Sequence, residues 1–217
     1  MTEARARALL SRLGTFLDQF TTCFSRRAHR TYASRYLQGL LNDSSRKSMQ
    51  PMHGRLSDPG SYQGLQHFIT HSTWDARPFW RRLRARMPVR SGILAIDDTG
   101  LPKQGTASVG VQRQYCGALG KLANCQVAVS TALIAGKMAW LTSLELYLPH
   151  TWMDDEEQRA RARIPLTLPF REKWRMALAH VRTVRAAGFT LEAVVADAPY
   201  GETAQFRAGL ERLGVAY

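Results

Sequence analysis

The stretch SGILAIDDTGLPKQG, Ser91 to Gly105, decides how the chain is read. Ile93, Leu94, Ala95 and Ile96 are apolar in succession, and Asp97-Asp98-Thr99-Gly100 ends the run. The run is too short for a helix and reads as a strand buried on both faces. Strands of that kind belong to α/β sheets with helices on either side. Asp97 and Asp98 are therefore expected at the C-terminal end of a central strand, where open sheets place their ligands. Two acids there are costly unless a positive charge neutralises them, and a divalent cation is the usual solution. The competing reading makes one Asp a turn residue beside Gly100 and leaves the other solvated.

Leu191 to Gly201, LEAVVADAPYG, repeats the pattern: an apolar β-branched run, Asp197 at its end, then Pro199 and Gly201. If the two strands are neighbours, Asp98 and Asp197 face one pocket. Two strand-end aspartates so placed argue for a shared metal site.

The composition sets the frame for that site. The chain has 217 residues and is 45% apolar, enough for one sizeable domain or two small ones. It contains no run of about 18 apolar residues, so no membrane span is expected. MTEARARALL at the N-terminus lacks the apolar core of a signal peptide. Cys23, Cys116 and Cys125 form no CxxC pair, which fits reduced thiols in the cytoplasm better than disulfides or zinc. Net charge is +13 and unevenly spread: residues 1–90 hold sixteen Lys/Arg against five Asp/Glu, residues 91–217 fourteen against twelve. The first part is a basic module, and DNA or RNA is its natural partner, with an anionic membrane second.

Within that module Leu9, Leu10, Leu13, Phe16, Leu17 and Phe20 recur at helical spacing, and a second helix is expected over Arg27 to Leu41. Asn42 to Ser45 breaks it, with Arg46 and Lys47 beside the break. Met49 to Leu56 reads as a short helix, and Leu65, Phe68 and Ile69 mark another that starts near Ser61. His67 and His71 stand four apart but lack the HExxH acid, so a surface pair is the simpler reading. Asp75 can cap a last helix whose inward face is Phe79, Trp80, Leu83 and Met87. Arg77, Arg81, Arg82, Arg84, Arg86 and Arg90 crowd the rest. Like charges at that density repel, so phosphate contact is favoured over a solvated basic face. Such contacts position DNA without reading its sequence.

Past the acids, Leu101 to Gly105 reads as a loop, with Lys103 either touching a scissile phosphate or balancing the carboxylates. Val109 to Tyr115, Asn124 to Ile134 and Ala139 to Leu148 read as antiparallel strands. Asp154, Asp155, Glu156 and Glu157 precede Arg159, Arg161 and Arg163; one of these acids could supply a third metal carboxylate, but the polarity suits a helix macrodipole and that explains them without function. Helices are expected over Phe170 to Ala187, with Trp174, Leu178, Val181 and Val184 inward, and over Thr203 to Leu213. Val215 to Tyr217 looks like the start of another strand.

GILAIDDTGLPKQG, QYCGALGKLANCQVAVS, the LELYLP strand with Trp152, the PFREKW helix and VVADAPYGETAQFRAGL resemble, in that order, the N-terminal part of an insertion-sequence transposase of the bacterial DDE group. RYLQGLLND and HFITHSTWD are similar to the helical N-terminal region of the same group. The resemblance implies an α/β (α+β) fold: a helical DNA-binding domain over 1–90, then an incomplete ribonuclease H-like mixed sheet flanked by helices over 91–217. It also implies Mg²⁺ or Mn²⁺ held by Asp, Asp and Glu, double-stranded DNA as partner and a possible homodimer. Asp98 matches the first acid because it precedes the Thr, and Asp197 matches the second. Asp97 is auxiliary, since neighbouring strand positions point to opposite faces. Pro199 stands where the family commonly has Gly. The third acid lies on a late helix in the family, and Glu202 and Glu211 are on the wrong helix for it. The expectation is therefore the front portion of a transposase, weak or inactive in strand transfer alone, with a non-catalytic DNA binder or transposition inhibitor as the alternative.

Overall fold

In a computed structural model describing residues 3–45, 47–72 and 75–217, the sheet is laid out from β1, Ser91–Pro102. The other strands are β2 (Gln112–Cys116), β3 (Lys121–Ala135), β4 (Met138–Leu146) and β5 (Thr190–Ala196). Their order is β2-β3-β1-β5, with β4 also on β3. β3 runs antiparallel to β1, β2 and β4, whereas β5 is parallel to β1, so the sheet is mixed.

Two features of β1 differ from the expectation. The strand does not stop at the acids: β3 is long enough to keep pairing with it as far as Pro102 opposite Cys125. Only β5 ends at this level, with Ala196 beside Ile96, so Asp97 and Asp98 stand inside β1 but just beyond the last paired residue of its other neighbour. The strand is also buried on one face rather than two. Leu94 and Ile96 are 0% and 3% exposed, while Ile93, which points to the other face of the same strand, is 37% exposed. The reason is the placement of the helices. α8 (Lys173–Ala186) and α10 (Ala204–Arg212) pack on the Leu94 face, with Met176, Leu178, Val181, Val184, Phe206 and Leu210 buried there. Each such side chain contributes roughly 1.5–3 kcal/mol relative to exposure. The opposite face carries Ile93, Ile134, Leu141, Leu144 and Val195, each 37–47% exposed.

Local chemistry explains the joints. Gly188, at φ 83°, ends α8 in the left-handed conformation and turns the chain into Phe189 and β5. Gly209 lets α10 approach α8 closely: a Cβ there would lie 2.4 Å from Leu178 Cδ1. Val215 to Tyr217 does not form a strand; it joins β5 through one bond from Val194 N–H to the Ala216 carbonyl, 2.8 Å. The loops carrying α6 (His150–Met153) and α7 (Glu156–Arg161) close over Val111, Trp152 and Ile164, and the Trp152 indole donates to the Val111 carbonyl at 2.8 Å. α9 is a single turn, Ala198–Gly201.

The chain falls into two compact units, Met1–Arg82 and Leu83–Tyr217. The first is helical: α1 (Glu3–Asp18), α2 (Arg27–Leu41), α3 (Met49–His53), α4 (Tyr62–Thr70) and the start of α5 (Ala76–Arg86). Ser61 caps α4 by accepting from Gly64 N–H at 3.2 Å, and Asp75 accepts from Arg77 N–H at 2.9 Å. Phe20, Met52, Leu65 and Phe68 form its buried centre, and Phe79 stacks on Phe20 with centroids 4.6 Å apart. The apolar stripe of α1 is largely in water, with Leu9, Leu10 and Phe16 41–49% exposed; Ile69 on α4 is likewise 42% exposed. Periodicity identifies an apolar face but not a neighbour to cover it. Arg46, Thr73 and Trp74, which belong to stretches read above, lie outside the described residues.

Candidate active site

Period-two alternation sends Asp98 to the core face of β1 and Asp97 to the other. On the core face the pairing sets up a row across three strands: Asp98 on β1, Val129 on β3 and Glu145 on β4. The beginning of α8 lies over that row. Lys173 Nζ donates to Asp98 Oδ2 at 2.5 Å, and Arg171 forms an ion pair with Glu145. His180 Nε2 sits 3.2 Å from the second Glu145 oxygen. The hydrogen bond from His180, ahead of the charge of Arg171, holds the Glu145 carboxyl below the usual range despite its burial.

The second stretch reaches the same place from β5. Asp197 follows the last paired residue, at the N-cap of α9, with no capping hydrogen bond from its side chain. The turn of α9 then brings Tyr200 back under β1, where its hydroxyl donates to Asp98 Oδ1 at 2.7 Å. Tyr200 is 4% exposed. Burial first, and then the bond to Asp98, push its pKa up, so the phenol stays a donor. Asp98 thus has one oxygen on Tyr200 and the other on Lys173.

Asp97 is placed differently. Its Oδ1 accepts from Asp98 N–H at 2.7 Å. Burial raises its carboxyl pKa, and the neighbouring Asp197 and Asp98 carboxylates raise it further against that hydrogen bond. Asp97, Asp98 and Asp197 all open on one cleft of about 690 Å³, which Lys173, Trp174 and Tyr200 also line. As the side chains stand, no three His, Cys, Asp or Glu groups among the described residues are gathered as an ion's cage. Asp98 is turned to Lys173 on the core face, and Asp97 leans toward Asp197 on the other. The donor set nevertheless fits a hard divalent cation: three carboxylates at one rim, mutual repulsion between two of them, and an ammonium already drawn to the third.

The expected phosphate contacts separate by position. Arg77, Arg81 and Arg86 are exposed on α5, with Arg77 also paired to Asp75 at 2.9 Å. Arg82 donates to Thr22 Oγ1 at 3.3 Å. Arg84 turns inward: its Nη1 donates to the Thr142 carbonyl at 2.9 Å, and burial lowers its pKa. Lys103 lies past the cleft, its backbone bonded both ways to Asn124. Asp155 caps α7 by accepting from Gln158 N–H at 2.8 Å, the helix-start role. His67 and His71 stack with ring centroids 5.1 Å apart at the surface.

Lys173, Tyr200 and the Glu145 group lie outside the residues that the sequence marks as candidates. Signals for the first two are present. A lysine in the first turn of a helix opposes the macrodipole, which marks it as answering to something other than its own helix. A bulky aromatic inside a Pro/Gly turn three residues after Asp197 is similarly out of place unless it is anchored.

Residues 19–217 match the family described as DDE superfamily endonuclease. A probable transposase for insertion sequence element IS701 from Microchaete diplosiphon is 32% identical over 191 residues, covering 85% of this chain and 47% of the relative. The chain therefore spans about half the length of that relative. Among the described residues no helix is long and apolar enough to cross a membrane. With nearly the whole chain matched, and the DDTG and DAPYG stretches both inside the match, this chain belongs to the DDE superfamily of endonucleases.

Proposed function

We propose that this chain serves DNA transposition, as a transposase that cuts and joins double-stranded DNA at the ends of an insertion sequence using Mg²⁺ or Mn²⁺. The observation that carries the reading is the convergence of Asp97, Asp98 and Asp197 on one cleft from strands a hundred residues apart in sequence. Asp98 and Asp197 hold the metal, and Asp97 adds negative charge beside Asp197. When bound, divalent ions supply an activated oxygen nucleophile and a stabilised leaving oxygen. The chain's own part is orientation: Tyr200 fixes one oxygen of Asp98, and the β1–β5 pairing fixes the spacing of the two acids. Exposed arginines on α5, Arg77, Arg81 and Arg86 foremost, grip phosphates. Arg82 and Lys103 add to the grip from partly buried positions, and Arg84 braces β4 instead. Joining two ends at once calls for two copies, hence a homodimer, working on DNA in the bacterial cytoplasm.

The second reading, a DNA binder without catalysis, is favoured by one observation: the basic surplus of residues 1–90 is independent of the acids. Metal titration separates the two. Under the transposase reading, Mn²⁺ binds the wild-type chain, binding weakens at least tenfold in Asp98→Asn and Asp197→Asn, and DNA bearing the element's ends binds tighter with the ion than in EDTA. Equal DNA binding in EDTA and Mn²⁺, with Asp98→Asn indifferent, replaces it with the second.

A further inference from the structure

Asp98 is the most heavily engaged of the three cleft carboxylates, and one of its two partners is a cation. Lys173 Nζ is 2.5 Å from Oδ2, with the two side chains 32% and 31% exposed. Tyr200 can stay on Oδ1 when an ion arrives, because a carboxylate oxygen accepts more than one bond and the phenol carries no charge. Lys173 cannot: an ammonium and a divalent ion on the same carboxylate repel.

We propose that Lys173 is a positioning residue that occupies the ion's place on Asp98 and is displaced when the ion binds. The inference rests on the metal-binding reading of the cleft and adds to it what the ion must compete with. The surroundings suit such an exchange. Arg171 and His180 both hold Glu145, so the start of α8 stays fixed on β4 while the lysine side chain moves. The lysine stem has four rotatable carbons. The Tyr147 ring, with its centroid 5.1 Å from Nζ, gives the ammonium an uncharged contact besides the carboxylate. Lys173 also lines the cleft itself, so leaving Asp98 does not require opening the core. The lysine therefore keeps the acid oriented and neutralised before the metal arrives, and its departure is part of metal entry.

The test is a Mn²⁺ titration followed by the electron paramagnetic resonance signal of the free ion. Lys173→Met, which keeps the stem and removes the charge, is expected to bind Mn²⁺ about tenfold tighter than wild type; Lys173→Arg is expected to restore the weaker binding. On the unmodified protein, labelling of Lys173 by an amine-reactive reagent, read by peptide mass spectrometry, is expected to rise severalfold on adding Mn²⁺. Equal or weaker binding in Lys173→Met, or labelling unchanged by Mn²⁺, overturns the exchange. If that happens while Asp98→Asn and Asp197→Asn still weaken binding at least tenfold, the metal reading survives without it. If those two variants bind Mn²⁺ as wild type does, the metal reading itself is lost.

Discussion

The helical unit and the sheet unit place their charges in opposite ways. In the first, arginines outnumber acids and stand mostly at the surface; the pairs Arg35 with Asp58, Arg55 with Asp43 and Arg77 with Asp75 each leave one partner largely in water. In the sheet unit the charges that matter are drawn inward along one row, Lys173 on Asp98 and Arg171 on Glu145. Surface charge acts at a distance and fades with salt, whereas charge held at contact under partial burial is screened far less. The first arrangement suits attraction to a polyanion, the second the holding of a few carboxylates in fixed places. Hydrophobic packing follows the same division: α8 buries a continuous face, and α1 leaves most of its apolar stripe in water.

The contrast in packing should give the largest effect. Leu94→Ala, at the centre of the sheet core, is expected to lower stability by about 2–5 kcal/mol in urea unfolding. Leu10→Ala on α1 should change it by no more than about 0.5 kcal/mol. Comparable losses at the two sites would mean that α1 is buried in solution and the contrast is false. Next comes the charge on α5. Replacing Arg77, Arg81 and Arg86 together by Ala is expected to weaken DNA binding about tenfold and to flatten the dependence of log affinity on log salt by up to about 2.7. A fall in affinity with an unchanged salt slope would take these side chains out of contact with phosphate.

The smallest effect sharpens the description of the inner row. Glu145→Gln keeps the shape but removes the charge that Arg171 and His180 share, and with partial exposure discounted it should cost about 1 kcal/mol. Because the folded protein holds the Glu145 pKa below its ordinary 4.5, the contribution is complete above that value and is lost as pH falls through the lower, folded one. The stability gap between wild type and Glu145→Gln, measured by thermal unfolding, should therefore be present at pH 7 and close on acidification. A gap that widens toward low pH contradicts the assignment.

The sequence made some of this legible and hid the rest for physical reasons. α2 runs from Arg27 to Leu41 as its periodicity says, because the break at Asn42 is written in local residues. Two apolar runs that each end on acid put Asp98 and Asp197 at one cleft only if the strands are neighbours, and that condition is met by the parallel pairing of β1 with β5. The length of β1 was not legible, because it is set by β3, a partner some thirty residues away. Nor was its one-sided burial: four apolar residues in a row are compatible with cover on one face or on both, and only the placement of α8 and α10 decides. Lys173 and Glu145 escaped because their meaning lies across the sheet rather than along the chain.

The uncovered face of the sheet has a bearing on how the protein behaves in bulk. Ile93, Ile134, Leu141, Leu144 and Val195 offer a hydrocarbon surface to a second molecule, and the net charge of +13 opposes such an approach. That protection shrinks as ionic strength rises, since the screening length is already only about 8 Å at 0.15 M. Added electrolyte is therefore expected to favour self-association of this chain rather than to oppose it.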